Sequence, residues 1–212
     1  MSSNELRSAV EAETAHFCDT EQTLQVSKGT LGRPRNDVRQ HVRISNCGVA
    51  TALVQHNLKE HYDVTTSRLF GEAPLAPRTR FGRIFGHVVL RTEDTLIDPT
   101  YGQLFSYVGV DLSSPHMKDF VHPGPLALAI DLENPDATLE PLIDDLHEAA
   151  SVKTGSLDAY APLRDQGRQA IRAVIYDIYN LEHYVPYEVE AHHPSFEYIQ
   201  ALKQISAEIR EP

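Results

Sequence analysis

Between residues 83 and 99 the chain can close a β-hairpin and can do little else. Arg83–Arg91 is an apolar run rich in β-branched residues, and Thr95–Pro99 is a second, shorter run of the same kind. Thr92-Glu93-Asp94 between them is a polar turn. With that turn centred between Glu93 and Asp94, His87 pairs with Thr100 and Val89 with Asp98. Asp98 then lies diagonal to His87 on the same face, about 7–8 Å away and within side-chain reach. A slip of one residue would carry Asp98 to the opposite face. The expected register therefore allows a His87–Asp98 hydrogen bond, which would fix the imidazole tautomer and leave its other nitrogen for a second partner.

Helices are expected on both sides of this hairpin. Residues 4–17 read as a helix with a thin apolar stripe of Leu6, Val10 and Ala15. Ser45 or Asn46 is a suitable N-cap for a helix in which Val49, Ala50, Leu53, Val54 and Leu58 recur at helical spacing. Val64–Phe70 reads as a strand. Residues 28–37, 71–82 and 109–125 read as loops rich in glycine and proline. Leu126–Ile130 adds a short strand. Leu139–Ala150, Leu163–Tyr184 and Ser195–Arg210 read as helices, the middle one burying Ile171, Val174, Ile175, Ile178 and Leu181. Strands grouped in mid-chain and flanked by helices predict an α+β fold, not alternating βαβ units.

The 212 residues suit one sizeable core, and their 41% hydrophobic and 23% charged content is that of a globular protein. A single domain over 1–212 is expected, with a core about residues 40–130 and a helical part about residues 139–212. No run approaches the roughly 18 apolar residues of a membrane helix, and no secretory leader is evident at the N-terminus. Only Cys18 and Cys47 are present, so a disulfide-built scaffold is excluded and a reducing cytoplasm is the expected location. A net charge of −11 argues against general nucleic-acid binding. Yet residues 28–91 carry eleven Lys or Arg against four Asp or Glu. Local positive charge over residues 33–91 would attract an anionic substrate or dock an anionic carrier. The same arginines could instead pair with the acidic C-terminal half.

Cys47, in Ser45-Asn46-Cys47-Gly48-Val49-Ala50, stands where the second helix begins. The positive end of the helix dipole and its unpaired N–H groups favour thiolate over thiol. The same N–H groups can face an oxyanion developing on an attacked carbonyl. Gly48 leaves room for a substrate backbone beside the thiol. Taken singly, Cys47 reads as a small buried hydrophobe, His87 as a core histidine and Asp98 as a turn starter. In this order and on these elements they form the arrangement that thiolate acyl transfer requires.

A helical cysteine followed by Gly86-His87-Val88-Val89-Leu90 and then Ile97-Asp98-Pro99-Thr100 resembles the core of the transglutaminase-like family of cysteine enzymes, within the papain-like superfamily. The resemblance covers roughly residues 40–105, and Asp98-Pro99-Thr100 is its most specific part. It implies a papain-like core in which the cysteine helix packs on an antiparallel sheet bearing the histidine and aspartate. It also implies that Cys47 is the nucleophile, His87 the general base and acid, and Asp98 the residue that orients His87.

Other candidates are weaker. Gln40, seven residues before Cys47, could help hold an oxyanion, and Tyr101 and Gln103 could line the same pocket. His192-His193 and His116 with His122 lack zinc-site spacing, so no metal and no cofactor is expected. The tyrosines at 176, 179, 184 and 187 read as packing. The expected activity is acyl transfer through an acyl-Cys47 thioester, making or breaking an amide, ester or thioester of a small or carrier-bound acidic substrate in specialised metabolism. A cysteine peptidase or amidase is the alternative chemistry. A binding or regulatory module with an incidental trio is the alternative class.

Overall fold

The computed structural model describes residues 1–27, 47–74, 84–108, 125–151, 163, 166–188 and 194–210. Among the described residues, five α-helices and five strands make an α+β fold. In chain order these are α1 (Ser3–Ser27), α2 (Cys47–Tyr62), β1 (Ser67–Pro74), β2 (Ile84–Arg91), β3 (Thr95–Asp98), a 3-10 helix (Tyr101–Val108), β4 (Leu128–Asp131), α3 (Asp136–Ser151), α4 (Arg168–Ile178), β5 (Tyr184–Pro186) and α5 (Pro194–Arg210). The strands form one antiparallel sheet in the order β4-β3-β2-β1-β5.

The hairpin closes in the expected register. Leu90 faces Ile97 and Arg91 faces Leu96, which sets Val89 opposite Asp98. The turn is held by Thr92, whose N–H donates to the Thr95 carbonyl at 2.9 Å and whose hydroxyl accepts from the Thr95 N–H at 3.0 Å. Alternation along the strands then sorts the core. Leu69, Val89, Leu96, Leu128 and Ile130 point to one face, where α3, α4 and the 3-10 helix cover them. Leu90 and Ile97 point to the other, beneath α1, α2 and α5. The sheet thus separates two buried clusters, and His87 and Asp98 share the face of Val89.

Several boundaries differ from the sequence expectation. α1 runs to Ser27 because Cys18, Thr20 and Leu24 are buried against neighbouring elements, which a thin apolar stripe does not reveal. β1 continues to Pro74, through residues expected in a loop, because β2 pairs with it as far as Ile84. Pro74 is tolerated there because it ends the strand. The expected helix Leu163–Tyr184 is only Arg168–Ile178. Asn180 ends it: its side chain accepts from the Glu182 N–H at 3.1 Å and starts a 3-10 turn over Leu181–His183. Tyr184–Pro186 then forms β5, which covers the outer edge of β1. The expected loops at 28–37 and 109–124, the part of the 71–82 loop beyond Pro74, and the N-cap at Ser45 or Asn46 lie outside the described residues.

Candidate functional site

Asp98 ends β3, and Pro99 turns the chain so that the Thr100 N–H points back at the carboxylate. Oδ1 accepts from the Thr100 N–H at 2.8 Å and from the Thr100 hydroxyl at 3.2 Å. Oδ2 accepts from the His87 ring Nε2 at 2.6 Å and from the Tyr179 hydroxyl at 2.8 Å. His87 and Asp98 are both 0% exposed. A buried carboxylate is costly unless its oxygens are satisfied, and here four donors surround it. Asp-Pro-Thr is therefore a backbone device as much as a residue choice: the residue two positions after the aspartate supplies two of those donors.

With Nε2 bonded to Asp98, hydrogen bonding between His87 and a thiol falls to Nδ1. Burial alone would lower the His87 pKa. The Asp98 charge and hydrogen bond, supported by hydrogen bonding and charge from Cys47, raise it instead to about 10. Cys47 is the first residue of α2 and is partly exposed, while Gly48 after it is buried. The Thr51 hydroxyl donates to the Cys47 carbonyl at 2.8 Å and so anchors this first turn. The structure thus brings Cys47, His87 and Asp98 to one place. It does so although α2 lies over the sheet face carrying Leu90 and Ile97, and His87 projects from the other.

Two tyrosines complete the surroundings, and the sequence reading had assigned both to packing. Tyr179, at the end of α4, has its phenol pKa pushed well above the ordinary value by burial and then by Asp98. Tyr184 sits in the same cross-strand row as Gly71 and His87. Its hydroxyl donates to the Ile178 carbonyl at 2.9 Å. Its own pKa is raised by burial and then by the Asp98 and Cys47 charges. A Cβ on Gly71 would stand 2.6 Å from the Tyr184 ring, so glycine is what lets the ring lie there. No local sequence signal marked this approach, because Gly71 lies between Phe70 and Glu72 and meets His87 only through the β1–β2 pairing.

The remaining predicted positions are placed less centrally. Tyr101 is buried and its hydroxyl donates to the Pro125 carbonyl, with its side chain lining a groove that Arg7 and Glu11 of α1 also border. Gln103 is half-buried, and its N–H donates to the Thr100 carbonyl at 3.0 Å. Gln40, the arginines at 33, 35, 39, 43, 78, 80 and 83, and the histidines at 116, 122, 192 and 193 lie outside the described residues. Among the described residues, no cluster of three or more His, Cys, Asp and Glu side chains is placed to hold a metal ion. Neither Cys18 nor Cys47 is in a disulfide. No described helix is long and apolar enough to cross a membrane. No family model, curated protein or solved structure matches the chain.

Proposed function

We propose that the protein is a cysteine acyltransferase or hydrolase with a papain-like, transglutaminase-like core, acting in a reducing compartment such as the cytoplasm. The observation that carries this reading is the buried Asp98–His87 pair, on which the thiol of Cys47, the first described residue of α2, also acts by hydrogen bonding and charge. Cys47 Sγ attacks the carbonyl carbon of a thioester, ester or amide, forming a C–S bond and a tetrahedral oxyanion. The oxyanion collapses, and the leaving group departs with a proton from His87. The acyl group then passes from Cys47 to an amine or to water, and His87 takes the proton of that acceptor. Asp98 keeps Nδ1 aimed at the thiol throughout and stabilises the imidazolium. The basic stretch between residues 28 and 91 supports an acidic acyl substrate, small or carried on an anionic partner.

The test is intact-mass detection of an acyl adduct after mixing the protein with small acyl thioesters and aryl esters. A single acyl mass should appear on wild type and vanish in Cys47→Ala; an adduct that persists in that variant sinks the assignment. Complete burial of His87 and Asp98 equally suits a structural network in a non-catalytic module. Alkylation of Cys47 against pH separates the two. Rapid labelling below pH 7 that slows sharply in His87→Ala supports the enzyme, and reactivity like that of free cysteine supports the module.

A further inference from the structure

Away from Cys47, a cavity of about 380 Å³ opens between α2, the start of β1 and α5. Its wall holds His56 and Lys59 of α2, Arg68 of β1 and Lys203 of α5, a concentration of positive charge in a chain of net charge −11. Their counterions are sparse. Lys59 Nζ meets Asp63 Oδ1 at 2.5 Å. Arg68, His56 and Lys203 form no ion pair among the described residues, although Glu60 and Glu188 act on them from a distance. Burial and then the Arg68 charge hold Lys203 below its ordinary pKa, and burial and then the Lys203 charge do the same for His56. The Arg68 and Lys203 charges repel one another across a hollow.

Thr66 also lines the cavity, with its hydroxyl turned inward and buried. The backbone beneath it is already organised, because the Thr66 carbonyl accepts from Gln55 Nε2 at 2.7 Å. Phe196 and Ile199 of α5 add an apolar side to the same cavity.

We propose that this cavity binds a phosphate group, free or carried on a small organic molecule. Arg68 provides a planar fork of donors and Lys203 a point charge, the pair of cation types that suits a tetrahedral dianion. An organic substituent would rest on Phe196 and Ile199, and the volume falls in the range of small-ligand sites. The site does not depend on Cys47 being a nucleophile.

Thermal unfolding of the full chain, followed by circular dichroism, tests this while orthophosphate or phenyl phosphate replaces chloride at constant ionic strength. Orthophosphate should raise the melting temperature saturably, as a ligand of the folded state does. Tighter binding of phenyl phosphate would identify an organic phosphate as the ligand class, and equal binding would identify phosphate itself. Lys203→Gln should weaken either ligand about tenfold, the effect of losing one charged hydrogen bond. Arg68→Lys should weaken binding while keeping the charge. In amide NMR spectra of the wild type, orthophosphate should move the signals of Thr66, Arg68 and Lys203. Stabilisation no greater than that of chloride, unchanged affinity in Lys203→Gln, or NMR shifts confined to other regions would each overturn the proposal.

Discussion

Removing one oxygen atom from Tyr179 tests the account of the buried carboxylate most directly. Tyr179→Phe keeps the ring and its packing in the core cluster, so no large cavity forms. What it deletes is the 2.8 Å bond to Asp98 Oδ2, leaving that oxygen with the His87 contact alone. A hydrogen bond to a charged group contributes about 1.5–3 kcal/mol, and no water replaces this donor easily at a site where Asp98 is 0% exposed. In a chain of this size 1 kcal/mol corresponds to roughly 2–4 °C, so the melting temperature should fall by about 3–12 °C. Tyr176→Phe is the control. Tyr176 also donates to carboxylates, with its hydroxyl 2.5 Å from Asp136 Oδ1, but at an exposed site. Its loss should stay within about 0.5 kcal/mol, as surface changes usually do. Thermal and urea unfolding of the two variants beside wild type is the assay. If Tyr179→Phe loses no more stability than Tyr176→Phe, the four-donor description of Asp98 is wrong.

Three further outcomes follow from the same geometry. His87 has its pKa raised in the folded state, so the native protein holds a proton that the unfolded chain releases near pH 6.5. Its stabilising contribution is therefore complete below about pH 6.5 and is lost as the pH rises through about 10, with a slope of up to about 1.4 kcal/mol per pH unit. Wild type should lose stability relative to His87→Gln across that window, and parallel pH curves for the two proteins would contradict the assignment. Gly71→Ala should destabilise by about 1–3 kcal/mol through overpacking against the Tyr184 ring. Combining it with Tyr184→Ala should recover part of the loss, and strictly additive unfolding energies would mean that the ring is not the obstacle. Thr100→Val removes the longer 3.2 Å hydroxyl bond to Asp98 but leaves the backbone N–H bond in place. Its cost should be smaller than that of Tyr179→Phe, and denaturant midpoints would show the reverse order if the hydroxyl mattered more.

Much of the site's frame was legible because it is local. The hairpin register follows from turn position and side-chain alternation, and a single shared register brings His87 and Asp98 to one face. The placing of Cys47 on α2 followed from helical spacing in the residues after it. Tyr179 was not legible in this way. It sits 81 positions after Asp98, and a tyrosine at the end of an amphipathic helix looks the same whether it packs or donates. β5 escaped for a similar reason. Three residues carry too little pattern to announce a strand, and their pairing with β1 supplies what the pattern lacks. The cationic cavity was only hinted at, since its basic residues come from 56, 59, 68 and 203 and no stretch of sequence holds them together.

The sequence by itself determined the α+β class, the hairpin and the order in which thiol, imidazole and carboxylate appear along the chain. Those depend on interactions over a few residues, and short-range periodicity records them. Only the tertiary structure decided what surrounds the carboxylate. Docking α4 on the Val89 face delivers the Tyr179 hydroxyl to Asp98, and β5 lays Tyr184 across Gly71 beside His87. Burial then sets the electrostatics. Excluding water from His87 and Asp98 turns an ordinary histidine and an ordinary aspartate into a pair whose charges depend on each other.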